Sequence, residues 1–567
     1  MKKLRWQLVI LLLTGLVVGI LLIVQQQQQG NSPLQISTPA PSTGGVYTEA
    51  LIGSFKRLNP ILDSYNQPDQ DVDQLLFSSL VRFDERGLPQ PDLAESWGYS
   101  QDGTLYNVSL RPGMVWHDGQ PLTADDVLFT ISLLKTKNAL IPSDISAFWN
   151  DVQVKKFSNT QLQFRLPEAF SPFLNYLTFK VLPKHLLENV SLDAMVNSPF
   201  DMNPVGSGPY RFNRLMVENG KITGVVLDLF NKYYAKKPFI QRIVFRYYPD
   251  GQSAFTAYQA GDVQGVSRIT ADVLPAALKD ANLALFSGRL PSLTLIYLNL
   301  NNPEVPFFKD ANFRRALLTA INRPLIIKNV LQGQGEIANG PILPGTWAYD
   351  SSIEKINYDP VAVSQLLNSA GYTSSGSPGG LTMKDGTPVK FTLLYPEDPT
   401  HEAIAQIIKS DWEAMGANVS LDAQSYDTIL NDRLDQRVYQ AALVEINYSN
   451  SPDPDPYPFW DQGQATGGQN YSQWQNKTAS EYLEQARVVN DIDERARYYR
   501  NFQVLFSQDL PALPLFYPIY TYGVDKAIQG VQMGPLYSPS DRFDTISDWY
   551  LVSNRQSGAK TTSTPKR

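Results

Sequence analysis

The chain has 567 residues, of which 43% are hydrophobic and 18% charged, a globular composition too long for one core, so two or three folded units are expected. Its net charge of −7 argues against a nucleic-acid partner, which needs a concentrated basic surface. With no cysteine, it has no disulfide, no thiolate metal site and no cysteine nucleophile.

Lys2, Lys3 and Arg5 precede an uncharged apolar run from Leu8 to Val24, about as short as a bilayer-spanning helix can be. Gln25 to Gln29 follow, where a cleavable signal would show small residues before the cut. The expectation is an uncleaved signal anchor over residues 1–24 with its amino end inside the cell. Residues 25–45, rich in Gln, Ser, Thr and Pro, read as a flexible linker, and the folded body begins near Val46.

Val72, Leu75, Leu76 and Ser79 fall at helical spacing within Asp71–Leu80. Next comes the most structured stretch, Leu93 to Leu134. Asp102-Gly103 marks a tight turn, and Tyr106, Val108 and Leu110 alternate with polar residues as in a half-buried strand. Thr123 and Asp126 form a capping box before a helix that lines up Val127, Ile131 and Leu134. Val152–Leu166 reads as a strand pair. Gly206-Ser207-Gly208 reads either as an anion-binding nest of amides or as a turn into a strand. Ala254–Val263 is a helix stopped by Gly261. Asp310 caps a helix with Phe313, Ala316, Leu317, Ala320 and Ile321 on one face, and Pro324 starts another that ends by Gly333. Tyr358–Gly371 is helical. The strand Val389–Tyr395, the helix His401–Met415 and the strand Asn418–Ala423 make a β-α-β unit, an α/β signal. Thr478 with Glu481 reads as a capping box and Asp491 with Glu494 as a second, before a helix lined by Tyr499, Phe502 and Phe506. Residues 553–567, polar and basic, read as a disordered tail. No internal repeat is visible.

Catalytic constellations fail one by one. His401-Glu402 opens like a zinc protease motif, but Ala405 stands where the second histidine belongs. There is no nucleophile elbow, phosphate loop or dinucleotide fingerprint. His117, beside Asp118-Gly119, reads as a turn histidine. The strongest ligand-binding candidate is the loop Asn447–Trp460. Prolines 452, 454, 456 and 458 stiffen it, and Asp453 and Asp455 sit among Tyr448, Tyr457, Phe459 and Trp460. A rigid acidic loop among aromatic rings can hold an ammonium group at small ordering cost.

Several pieces, in order, resemble the extracytoplasmic solute-binding proteins, family 5, of the ABC importers for oligopeptides, dipeptides and nickel. They are Leu58-Asn59-Pro60, Leu93-Ala94-Glu95-Ser96-Trp97, Leu110-Arg111-Pro112-Gly113, His117-Asp118-Gly119, Asp125-Asp126-Val127, Pro183-Lys184-His185, Gly206 to Tyr210, and Phe313 to Leu317 with Ala320 to Arg323. The resemblance covers Val46 to about Leu551. It implies an α/β, two-lobed periplasmic-binding-protein-like fold, the large type II variant with three subdomains, closing about a hinge onto an interlobe cleft. Residues 46–292 and 517–552 would form the larger lobe, with an inserted subdomain near 84–204, and residues 293–516 the smaller.

The implied function is non-enzymatic: capture of an oligopeptide-like solute outside the cytoplasmic membrane and delivery to an ABC permease, by a monomer without a cofactor. Alternatives are an oligosaccharide-binding protein of the same fold and a membrane-tethered ligand sensor. The missing cysteine removes the lipid anchor used by many relatives. In dipeptide-binding relatives an acid of the matched loop takes the peptide amino group. The site residues carried over are Asp453, Asp455, Tyr448, Tyr457, Trp460, Asn470 and Tyr471.

Overall fold

The computed structural model describes residues 41–375, 379–449 and 451–552. The anchor of residues 1–24, most of the linker and the tail 553–567 lie outside the described residues. Among the described residues no helix is long and apolar enough to cross a membrane. The linker ends slightly earlier than the composition suggested: the Gly44 amide already donates to the Phe239 carbonyl (2.8 Å).

Two lobes form, each around its own buried residues. One core draws on Tyr47 to Leu283 and on Tyr520 to Trp549. The other draws on Leu293 to Tyr517, and the strand Ser292–Leu298 shows why it has two halves. Successive side chains of a strand point to opposite faces. Leu293, Leu295 and Tyr297 therefore enter one layer while Ile296 and Leu298 enter the other. The strands Lys390–Pro396 and Asn418–Gln424 pair in parallel around the helix Pro399–Ala414, as the β-α-β pattern required. In the larger lobe, Val46–Ile52 pairs in parallel with Arg242–Tyr248 and Gly265–Val266. The four strands between Ala94 and Arg165 make a separate sheet.

The strand Ala512–Asp525 joins the two lobes. Its first half pairs with Ser292–Leu298 and its second half with Leu283–Arg289, antiparallel in both cases. The chain therefore crosses between lobes twice, at Leu290-Pro291 and at Tyr517-Pro518. Proline has no amide to give a ladder. Between the two crossing strands the ladder thins to the Leu290 amide donating to the Pro518 carbonyl (2.9 Å), and the register slips between Thr294 and Leu295, while Gly335–Ile337 pairs with Phe516–Pro518 on the other edge. Two crossing strands weakened side by side are suited to bending.

The carboxyl-terminal return is fastened by a buried network. Arg542 donates to Glu49 (3.1 and 2.7 Å) and to both oxygens of Asp71 (2.7 and 2.8 Å), with the arginine and glutamate side chains fully buried. Tyr522 also donates to Glu49 (2.8 Å). First strand, first helix, long strand and final turn thus meet at one guanidinium.

Capping expectations held at three helices and failed at a fourth. Thr123 and Asp126 form their capping box, and Asp310 and Asp491 cap their helices. Others shift. The first helix spans Gln67–Leu76, because Pro68 starts it early and Phe77 turns extended. The helix Lys477–Val488 is capped by Asn476, whose side chain accepts from the Ala479 amide (3.0 Å), leaving Thr478 inside the first turn. Gly206-Ser207-Gly208 is a turn. The amides of Ser207 and Gly208 both donate to the Leu76 carbonyl (2.9 and 2.8 Å), so they are not free to hold an anion.

Candidate functional site

Where the lobes face each other, the larger lobe contributes the turn Asp84–Gly87, the segment Phe170–Asn175 and Tyr537. The smaller lobe contributes the proline loop, Trp347 and the turn between the helices Lys477–Val488 and Ile492–Asp509. Direct hydrogen bonds cross the seam. Trp347 N donates to Arg86 O (3.0 Å) and Asp453 N to Asn175 Oδ1 (3.1 Å). Ser171 Oγ donates to Val489 O (2.5 Å), and Tyr106 Oη donates to Asn490 Oδ1 (3.2 Å). Gly87 allows the closest approach. Its φ is +78°, and a Cβ there would stand 2.6 Å from Pro452 O and 3.0 Å from Tyr537 Oη.

The two aspartates of the loop have different company. Asp453 is held end-on by Arg495, with Nη1 donating to Oδ2 (2.6 Å) and Nη2 to Oδ1 (2.8 Å), both side chains buried. Arg495 also stacks on Trp347 and Tyr499 (5.0 and 5.7 Å). This is the bidentate geometry in which a carboxylate and a guanidinium satisfy each other. Asp455 lies 3.1 Å from Arg487 Nε, but without an aligned hydrogen bond, since that nitrogen is buried with no partner. Arg487 is sandwiched between Tyr457 of its own lobe (4.1 Å) and Phe170 of the other (4.9 Å). Burial raises the Asp455 pKa against the pull of Arg487.

A cavity of about 20 Å³ remains at the seam, lined by Pro341, Tyr448, Pro452, Asp455 and Tyr537 among others. That is room for about one water molecule. Small-molecule pockets run to roughly 300–1,000 Å³, so this cavity is far too small to hold one.

Of the seven residues expected at the site, four are here. Tyr448 and Asp455 line the cavity, while Asp453 and Tyr457 lie next to lining residues in the same loop, one paired with Arg495 and the other stacked on Arg487. Tyr448 N also donates to Pro291 O at the crossing (2.7 Å). The other three take structural places. Trp460 packs in the smaller lobe between Tyr297 and Phe506. Asn470, fully buried, staples its own loop by donating to Asp461 O and Trp474 O and accepting from Trp474 N. Tyr471 is tied to Asp435 (2.9 Å) beneath Arg437. The three histidines are accounted for. His117 accepts from Gly206 N and donates to Gly208 O, and burial lowers its pKa to about 4. His185 meets Asp118, and His401 bridges Asp398 and Glu445. Sequence reasoning missed Arg487, Arg495, Asn175, Asn490 and Tyr537, which reach the seam from separate elements.

Residues 89–469 match the family model described as bacterial extracellular solute-binding proteins, family 5 Middle. The chain belongs to the bacterial extracellular solute-binding proteins, family 5. Within this family 5 class it is similar to the oligopeptide-binding protein AppA of Bacillus subtilis, 27% identical over 531 residues that cover 93% of this chain and 95% of the relative. It is similar to the dipeptide-binding protein of Escherichia coli K12, 28% identical, with 85% and 91% covered. Among solved structures it resembles NikZ of Campylobacter jejuni in complex with Ni(L-His), at 27% identity and a TM-score of 0.67, with 89% and 99% covered. Family 5 proteins are the solute-binding components of ABC importers and work outside the cytoplasmic membrane.

Proposed function

We propose that this family 5 protein captures an oligopeptide-like solute between its lobes and hands it to an ABC permease, with no covalent chemistry. In this reading residues 46–292 and 517–552 move against 293–516 about the paired crossings, and residues 1–24 hold the monomer to the membrane. Relatives named for oligopeptide and dipeptide binding support the solute class.

The observation that carries the reading is the unequal pairing of the two aspartates. Asp453 is already satisfied by Arg495. Asp455 lines the cavity, is buried, and faces a guanidinium with which it makes no aligned hydrogen bond. Asp455 is therefore the acid assigned to the peptide amino group, and Asp453 the one that holds the loop.

Calorimetry with a panel of short free-amine peptides and their N-acetylated forms tests this. Asp455→Asn should weaken free-amine peptides by about 2–5 kcal/mol, the typical loss for one partner of a buried charge pair, and leave the acetylated forms nearly unchanged. Equal affinities for both forms in the wild-type protein and in Asp455→Asn would contradict the assignment.

A further inference from the structure

The helix Gln67–Leu76 carries three aspartates. Asp71 faces Arg542 and Ser540. Asp69 and Asp73, four residues apart, share another face, since residues at that spacing are neighbours on a helix. There they meet Asp63 and Asp201. The four residues are 0%, 1%, 7% and 3% exposed in the order Asp69, Asp73, Asp63 and Asp201, so no water-facing edge is left to carry the charge.

Donors are unevenly distributed among them. Asp69 accepts from the amides of Lys56 (3.1 Å) and Arg57 (2.8 Å) and from Asn66 Nδ2 (2.6 Å). Asp201 accepts from Asn59 Nδ2 (3.2 Å) through one oxygen, and its other oxygen has no partner. Neither oxygen of Asp73 has a hydrogen-bond partner. The Asp63 carboxyl faces it, and each acts on the ionisation of the other. The other charged or titratable groups facing the cluster are Arg57, Lys180, Asp71 and the Tyr247 hydroxyl, and neither basic group forms an ion pair with it among the described residues.

A carboxylate pair cannot hydrogen-bond to itself unless one member keeps its proton. Burying an ionised carboxylate with no donor is strongly unfavourable, and the group takes up a proton instead. We infer that Asp63 and Asp73 share a proton in the folded protein at neutral pH, making this carboxyl pair a built-in alkaline limit on the larger lobe.

Burial, with neighbouring aspartates adding to it, raises Asp63 to about 7 and Asp73 well above the carboxylate range. Folded-state values above the unfolded value mean that the fold binds protons more tightly than the unfolded chain. That stability is present in full below the unfolded value and is lost as pH rises through the folded value. The pair sits where Asp69, Asn59 and Asp201 tie together Lys56–Asn66, the helix Gln67–Leu76 and the one-turn helix Pro199–Met202, with Leu58 N donating to Asp201 O (3.1 Å). Releasing the proton strains the junction from which the inserted subdomain returns. The claim stands whatever solute the seam takes.

The test is thermal unfolding of the full-length protein at a series of pH values, as wild type and as Asp73→Asn. An asparagine there carries a permanent donor toward Asp63. Between about pH 6 and pH 8.5 the wild-type Tm should fall on the order of 2–4 °C more than that of Asp73→Asn. Asp541 and Asp544 also titrate high, Asp544 at about 8, so the difference between the two proteins is what decides. Equal slopes would overturn the inference. So would a wild-type Tm that EDTA lowers and calcium restores, which would mean ionised carboxylates around a cation. If Asp73→Asn does not fold, infrared spectra of Asp544→Asn decide. A protonated carboxyl band near neutral pH that fades at alkaline pH is expected, and its absence at neutral pH would overturn the shared proton.

Discussion

Two arginine–carboxylate groups do different work in the two regions that hold them. Arg542, with Glu49 and Asp71, sits inside the larger lobe, fully buried, with the guanidinium bonded on both sides. Arg495 with Asp453 and Arg487 with Asp455 lie at the seam, where the second pair is open to the cavity and stacked against a ring of the opposite lobe. The first group joins segments that stay together whatever the lobes do. At the seam, one pair fixes the loop and the other is left incompletely bonded where a solute would arrive. Burial is common to all three groups; what separates them is the completeness of their hydrogen bonding.

Four substitutions probe that contrast. The largest effect is expected from Arg542→Leu, which strands Glu49 and Asp71 without a counter-charge. Breaking a buried pair this way typically costs about 3–5 kcal/mol, to be read as a loss of denaturation midpoint. Replacing Asp453 with Asn keeps one acceptor for Arg495 but removes the charge and the second bond. A loss near 1.5–3 kcal/mol, the usual range for hydrogen bonds to charged groups, is expected in urea unfolding. If the loss instead matched that of Asp455→Asn, the distinction between the two loop acids would collapse.

Gly87→Ala acts on closure. Its Cβ would press on the Pro452 carbonyl, a backbone atom that cannot step aside. Overpacking of this kind costs about 1–3 kcal/mol, so peptide affinity should fall roughly 5- to 100-fold, in addition to the loss of midpoint that alanine brings at this positive φ. Asp455→Asn should have the smallest effect on stability, under about 1 kcal/mol, since Arg487 keeps both stacked rings and has no aligned bond to lose. A large drop in its midpoint would make Asp455 a second structural acid.

The fold was largely legible because its signals are local. The capping box at Thr123 and the β-α-β pattern from Val389 to Ala423 each specify an element within a few residues of themselves. The site was legible only in part. The loop announced itself through its prolines and acids, but the partners that set each acid's role are remote in sequence. Arg495 is 42 residues from Asp453, and Asn175 is 278 residues away. Nothing in the local pattern of Trp460 or Asn470 showed that one fills a core and the other staples a loop, because an aromatic or amide side chain suits a cleft equally well. The acidic face of the helix Gln67–Leu76 was invisible because no local pattern shows that Asp63 and Asp201 fold onto Asp69 and Asp73.

The central claim is that the lobes close on a solute, and the absence of cysteine makes it directly measurable. Spin labels on two introduced cysteines, Gln161→Cys in the larger lobe and Lys477→Cys in the smaller, give an interlobe distance distribution by pulsed dipolar spectroscopy. A ligand shifts such an equilibrium only by its preference for one state. With a free-amine peptide shown to bind by calorimetry, the account predicts that the distribution narrows and moves to shorter distances. An unchanged distribution at saturating peptide would contradict it.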